Sequence, residues 1–288
     1  MIQVLCRNWS HQLNTLLHEA KQNIILCTPF ITQSGVNLIA DALTSSSHNK
    51  SVSTTIITNI SLRAVINGAT EPAAVRNLAK QTNSDHIHHV PGLHAKIYII
   101  DNHHAIITSG NLTAGGLIRN YEYGLEIDDP NIITNIRKDI LAYARLGATM
   151  NDETLDKLTK LTHAVKKAAQ VKLDSATSKA CLAYENAVTQ TENHLLRQRV
   201  AGKPIHTIFA QTIEYILKKS GPLPTTQIHQ QIAEIHPDLC DNAIDRVIDG
   251  IHFGKKWKHA VRTAQQSLKK QNKITLNNGL WLIPSQDQ

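Results

Sequence analysis

Aromatic residues are scarce. Phe, Trp and Tyr make up 4% of the 288 residues, so a core must rest on Ile, Leu, Val and Ala, and an apolar fraction of 41% suffices for one. Cysteine is scarce too. Cys6, Cys27, Cys181 and Cys240 form no close pairs. That spacing argues against a zinc ribbon and a disulfide frame, and for reduced thiols in a cytoplasmic protein. No apolar run approaches the length that crosses a bilayer, so no membrane association is expected. The opening MIQVLCRNWSHQ has no long apolar stretch and no cleavage site, so no export signal is expected. Histidine, by contrast, is plentiful at 16 residues. His86, His88, His89, His103 and His104 crowd one region without a coherent carboxylate or thiolate set. They read as surface and turn residues, and no metal or other cofactor is expected. Acidic residues are in deficit: net charge is +7 and the pI is near 9.2. A polyanionic partner fits that balance, nucleic acid before membrane.

Length suggests two domains and a connector. Residues 8 to 21 carry Trp9, Leu13, Leu16, Leu17 and Ala20 at helical spacing. NIILCTPFI reads as a strand buried on both faces. Asn37 to Leu43 predicts a short helix, TSSSHNKS a loop, and VSTTIITNI a β-branched strand. Glu71 to Gln81 predicts a helix with Pro72 in its first turn. HIHHV reads as a short edge-like strand, Pro91-Gly92 as a turn, GLEI as a strand, and Asn131 to Arg145 as a helix. Strands alternating with helices predict an α/β sandwich over residues 1–147. Residues 148–201 predict two helices, broken near Asp174 to Ser178, serving as a connector or as extra dimer-forming helices.

The stretch from Leu93 to Ile127 carries the chemistry. HAKIYIID and AIITSGN alternate as strands, with turn residues Asp101 and Asn102 between them. A hairpin tipped by Asn102 and His103 would set His94 opposite Asn111 and Lys96 opposite Ser109. An imidazole, an ammonium, a hydroxyl and an amide would then converge on one patch. Such a patch suits a phosphodiester, offering a nucleophile, a charged donor and neutral donors for its oxygens. His48-x-Lys50 shares the dipeptide spacing but lacks the residues that follow.

In order, His94, Lys96, Asp101, Ser109 and Asn111 resemble the HKD signature of the phospholipase D superfamily. Thr108 stands where that family usually has Gly. Asn-Leu-Thr, Gly116-Leu117 and Asn120-x-Glu122 resemble its nuclease and restriction-endonuclease branch. The resemblance implies a mixed sheet sandwiched by helices. It implies a site built from two His-Lys motifs, and this chain carries one, so it also implies a homodimer through the catalytic domain. His94 would attack phosphorus, and the second subunit's imidazole would protonate the leaving oxygen. Lys96 would neutralise the phosphoryl oxygens, Ser109 and Asn111 would add neutral donors, and Glu122 would orient the His94 ring. Asp101 joins the candidate set, although at a turn it can serve the fold instead.

Residues 202–288 change character. HTIFAQTIEYILKKSG predicts an amphipathic helix ending at Gly221. PLPTTQIHQQIAEIH offers Thr225 as an N-cap, and CDNAIDRVIDGI predicts a further helix. GKKWKHAVRTAQQSLKKQN predicts a basic helix, and KITLNNGLWLI a hairpin. Helices followed by a hairpin suggest a winged helix-turn-helix, with Trp257 and Trp281 as core anchors. Between Lys255 and Lys273 lie Lys255, Lys256, Lys258, Arg262, Lys269, Lys270 and Lys273 with no acid, whereas residues 1–147 hold eleven basic and ten acidic residues. The basic helix is the expected contact for double-stranded DNA. A restriction endonuclease, with a possible methyltransferase counterpart, fits this plan. A non-specific or structure-directed nuclease is the first alternative. A DNA-binding regulator with a dead catalytic fold is the second, and a phospholipase the third.

Overall fold

The computed structural model describes residues 2–44, 52–84, 86–175, 178–248 and 251–284. His48, Lys50 and most of the TSSSHNKS loop lie outside them, as do residues 176–177 of the expected helix break. The chain divides into two compact units, Met1–Arg199 and Val200–Gln288.

The first unit runs β1 (Ile2–Leu5), α1 (Ser10–Glu19), β2 (Asn23–Cys27), α2 (Gln33–Thr44), β3 (Ser53–Thr58), α3 (Leu62–Ile66), α4 (Pro72–Gln81), β4 (His86–His89), β5 (Ile97–Ile100) and β6 (His104–Thr108). A π-helical turn (Gly115–Arg119) follows, then β7 (Gly124–Ile127), α5 (Pro130–Leu146), β8 (Ala148–Met150), α6 (Asp152–Ser175) and α7 (Ser178–Val200). The strands form one mixed sheet in the order β1-β7-β6-β5-β2-β3-β4-β8. Strands β2, β3 and β4 are parallel, and the other pairings are antiparallel.

Alternation along the central strands fills both faces. Ile24, Leu26, Ile56, Tyr98, Ile100 and Ile106 pack with residues of α1, α2, α4 and α6. Ile25, Cys27, Ile57, Ile99, Ala105 and Ile127 pack with Ile133, Ile140 and Ala144 of α5. The apolar run in β2 is therefore buried on both faces, as its composition predicts.

Several expectations need correction. Strand β4 is not an edge, because β8 pairs with it, so the sheet continues past residue 147. His89 on β4 is buried and its Nδ1 accepts the Ile60 N–H at 3.0 Å, so it is a core residue and not a surface one. Burial, aided by the Arg199 cation, holds its pKa down at about 3. The helices expected as a connector belong to the first unit. Arg76 of α4 makes a two-pronged contact with Asp152 of α6, at 2.6 and 2.7 Å, and reaches Asp156 at 2.7 Å. On α7, Leu195 packs against the core and Arg199 is buried. Short β1 and β8 escape sequence reading because three or four residues show no period.

The second unit runs α8 (Ile205–Ser220), β9 (Leu223–Pro224), α9 (Thr225–Ile235), β10 (Asp245–Ile248), β11 (Ile251–Lys255), α10 (Lys256–Lys270), β12 (Thr275–Asn277) and β13 (Leu280–Leu282). Its small sheet has the order β12-β13-β9, so the terminal hairpin pairs back onto the strand between α8 and α9. Asn278 and Gly279 turn that hairpin with φ of 48° and 79°, the conformation an Asn-Gly pair favours. Phe209, Ile213, Ile228, Ile232, Val261, Leu268 and both expected tryptophans, Trp257 and Trp281, form its core. Thr225 does not cap α9 but begins it, and its hydroxyl accepts the Trp281 indole N–H at 3.0 Å. The helix expected over CDNAIDRVIDGI is not formed among its described residues: Asp245–Ile248 is β10, which pairs with β11, and residues 249–250 lie outside the described ones. Asp-Arg-Val-Ile suits a strand as well as a helix over so short a span, a known ambiguity of short apolar runs.

Candidate active site

The strand directions gather one edge of the first sheet. The carboxyl ends of β2, β3, β4 and β6 and the amino ends of β5 and β7 all lie there. His94 and Lys96 precede β5, Ser109 follows β6, and Glu122 precedes β7. The structure thus brings all the expected residues but Asp101 to one edge, where strands stop and side chains are freed from the ladder.

The hairpin register differs from the expected one by a residue. Ile97 faces Ile107 and Ile100 faces His104, leaving Asp101, Asn102 and His103 in the turn. Asp101 and Asn102 both have positive φ, 52° and 57°, and His103 N–H donates to Ile100 C=O at 3.1 Å. Lys96 consequently pairs with Thr108, whose N–H donates to the Lys96 carbonyl at 3.1 Å, and not with Ser109. A one-residue slip inside a sheet would send side chains to the wrong face. Here the motif lies past the strand ends, so it survives the shift.

His94 is exposed, while Lys96 is only 8% exposed. Lys96 Nζ donates to the His94 carbonyl at 2.8 Å and lies 3.2 and 3.3 Å from the two ring nitrogens. Burial lowers the Lys96 pKa from its ordinary value, and the Glu122 charge acts in the opposite sense. Ser109 Oγ donates to Glu122 at 2.5 Å and accepts the Tyr123 N–H at 3.0 Å. The other Glu122 oxygen accepts from Asn120 Nδ2 at 3.1 Å. Among the described residues no hydrogen bond joins Glu122 to His94. The orienting role expected of Glu122 is therefore not seen within one protomer, where its partner is Ser109.

Asp101 is not in the site. It lies at the opposite end of β5 from His94, seven residues of extended chain away, roughly 20 Å. Its carboxylate accepts the N–H groups of Lys21, Gln22 and Asn23 at 2.6, 2.7 and 2.9 Å. It pins the α1–β2 connection to the hairpin, a structural task.

Asn111 sits in a frame that sequence spacing does not reveal. Tyr98, fully buried, donates to the Gly110 carbonyl at 3.2 Å. Trp9, packed against the Tyr98 ring, donates to the Gly116 carbonyl at 2.7 Å. Thr28 Oγ1 lies 3.3 Å from Asn111 Oδ1. Gly110 and Gly116 permit this close approach. A Cβ on Gly110 would lie 2.6 Å from the Gly116 carbonyl oxygen, and one on Gly116 would lie 2.4 Å from that of Asn111. Gly116 is legible as motif; the roles of Trp9, Thr28 and Tyr98 are not, because their partners here lie 12 to 107 positions away in the chain.

In the second unit Lys256, Arg262, Lys269 and Lys270 are exposed on α10. Lys258 stands over the Trp257 ring at 5.5 Å. Lys255 is paired with Asp245 at 2.8 Å, and Lys273 with Glu214 at 3.3 Å. Five of the seven expected DNA-binding residues therefore make no ion pair among the described residues. Also among them, no helix is long and apolar enough to cross a membrane, and no cluster of three or more His, Cys, Asp or Glu side chains could hold a metal ion.

Residues 13–143 match a family model described as cardiolipin synthase, PLD-like domain. No curated protein sequence matches the chain. Among solved structures, NucT from Helicobacter pylori shares 15% identity at a TM-score of 0.42, over 52% of this chain and 99% of that one. Nuc of Salmonella typhimurium, a phospholipase D family member, shares 16% at 0.41, over 52% and 98%. A phosphatidylserine synthase of Haemophilus influenzae shares 15% at 0.44, over 60% and 44%.

Proposed function

Residues 13–143 belong to the phospholipase D-like family, and on that premise we propose that this chain is a DNA endonuclease cutting phosphodiester bonds through a covalent phosphohistidine. The observation that carries the reading is the meeting of His94, Lys96, Ser109, Asn111 and Glu122 at one sheet edge, with the His94 ring open to solvent. An exposed imidazole is reachable by a polymer. A buried ammonium beside it is desolvated and therefore stronger as an electrostatic partner for an anion.

In the proposed reaction a His94 ring nitrogen attacks phosphorus and forms a P–N bond. The P–O bond to the leaving oxygen breaks, and that oxygen takes a proton from the partner subunit's His94. That second imidazole, now neutral, removes a proton from water, whose oxygen displaces His94 from phosphorus. Histidine suits both parts because its two protonation states are accessible near neutrality. Lys96 from each protomer and Asn111 offset charge on the phosphoryl oxygens. Ser109, held by Glu122, adds a neutral dipole.

The scheme needs two protomers. Consistent with a homodimer, one apolar end of the α5-side sheet face is uncovered beside the site: Ile2, Val4, Tyr123 and Leu125 are 61%, 51%, 64% and 36% exposed. Supporting a DNA-reading role for the second unit, its order of helix, strand, helix, helix and hairpin follows a winged helix with the β10–β11 ribbon inserted before the basic helix. Exposed His259-side residues of α10, namely Arg262, Thr263 and Gln266, are the groups suited to base edges, and Lys269 and Lys270 suit phosphates. Sequence-specific cutting, as in a restriction system, is the form of the activity we favour.

The test is cleavage of unmethylated phage DNA by purified protein in excess EDTA, followed by sequencing of fragment ends. The expected result is cutting at fixed ends, abolished by His94→Ala. Scattered ends would replace restriction by non-specific cleavage. An intact substrate, or full activity in His94→Ala, would overturn the reading.

A further inference from the structure

We propose that Thr28 is a positioning residue for Asn111: its buried hydroxyl donates to the Asn111 amide oxygen and so turns the amide NH2 toward the phosphoryl oxygens of the substrate. The inference rests on the nuclease reading above for the identity of that anion.

A carboxamide is nearly symmetric in shape but opposite in polarity at its two ends. Turned one way, Asn111 offers two N–H donors to an anion. Turned the other way, it offers an oxygen and repels it. Something must choose between the two. Thr28 immediately follows β2 and is fully buried, with its N–H committed to the Ile57 carbonyl at 2.9 Å. Its Oγ1 lies 3.3 Å from Asn111 Oδ1 and 3.4 Å from the Phe30 carbonyl. The neighbouring Tyr98 hydroxyl has already given its proton to Gly110. The Tyr98 and Thr28 hydroxyls also meet each other, and of the two it is Thr28 that reaches the Asn111 amide oxygen among the described residues.

The surrounding backbone makes that meeting rigid. Ile31 and Leu112 form a parallel bridge, and Thr32 N–H donates to the Leu112 carbonyl at 3.1 Å. The β2–α2 connection that carries Thr28 is therefore stitched to the segment that carries Asn111. A valine at position 28 keeps the shape and removes the donor. The Asn111 oxygen then faces a buried apolar surface, and the amide loses its reason to hold one orientation.

The experiment compares Thr28→Val, Thr28→Ser and Asn111→Ala, singly and as the Thr28→Val/Asn111→Ala pair, by cleavage kinetics and by 31P NMR titration with inorganic phosphate. Thr28→Val is expected to lower kcat about tenfold or more with KM little changed, because a misaimed donor is missed most in the transition state. Thr28→Ser, which keeps the hydroxyl, restores most of the rate. On the Asn111→Ala background Thr28→Val has no further effect, since the residue it aims is gone. Phosphate binding weakens in the same pattern. Equal loss on both backgrounds, or a Thr28→Val protein as active as the parent, overturns the proposal. If no DNA is cut by the parent, the nuclease reading fails, and the phosphate titration alone decides for or against Thr28.

Discussion

Ser109 gives its hydroxyl proton to Glu122, 2.5 Å away, and takes the backbone N–H of the next residue, Tyr123, in return. The pair lies at the same sheet edge as His94 and Lys96. It also places a carboxylate near Lys96, where burial lowers the ammonium pKa and Glu122 opposes that fall.

Glu122→Gln keeps a hydrogen-bonding group beside Ser109 and removes the charge. With burial unopposed, the Lys96 pKa drops further, so the ammonium is lost at a lower pH. The alkaline limb of kcat/KM against pH is expected to move toward neutrality. A limb left in place in Glu122→Gln would show that Lys96 does not set it.

Asp101→Ala separates structure from chemistry. Three backbone N–H groups lose a charged acceptor, which costs roughly 2–4 kcal/mol in stability. Urea unfolding should read that difference, while kcat/KM stays near the parent value wherever the variant is folded. A large fall in kcat with unchanged stability would return Asp101 to the catalytic set.

Charges placed on the uncovered sheet face should break the proposed dimer. Val4 and Leu125 are cross-strand partners there, and both are exposed. Val4→Asp/Leu125→Asp is expected to give a folded monomer by light scattering, with cleavage reduced by orders of magnitude because each half-site lacks its second imidazole. A monomer that cuts as well as the parent would refute the shared site.

The basic helix should report itself through salt. Replacing Arg262, Lys269 or Lys270 by Ala removes a cation that makes no ion pair within the described protein. For each DNA phosphate that is no longer neutralised, the slope of log K against log salt should become shallower by about 0.9. Lys255→Ala and Lys273→Ala should change it less, because those ammonium groups already hold Asp245 and Glu214. Equal slopes throughout would remove α10 from the DNA interface.

Much of the catalytic unit is legible in the residues themselves. The β2 run of Ile, Leu and Cys, the β-branched β3 and the alternation on either side of Asp101 each carry their own period. His94, Lys96, Ser109, Asn111 and Glu122 are legible as a spacing. The β10–β11 ribbon is not, because its few residues suit helix and strand alike and only pairing decides between them. The fate of Asp101 is not legible either: its neighbours in sequence are motif residues, but its partners, Lys21 to Asn23, are some eighty positions away.

The order of residues settles which chemical groups this chain carries, where strand and helix periods begin, and which helix holds the excess of positive charge. These are local properties, written in neighbouring residues. Folding in three dimensions settles which end of a strand each group occupies, that Glu122 holds Ser109, and that Thr28, Tyr98 and Trp9 surround the Asn111 segment. Those are matters of register and direction. One more residue in the turn, Asp101, shifts the pairing by one, and its carboxylate is held there by the N–H groups of Lys21, Gln22 and Asn23, distant in the chain.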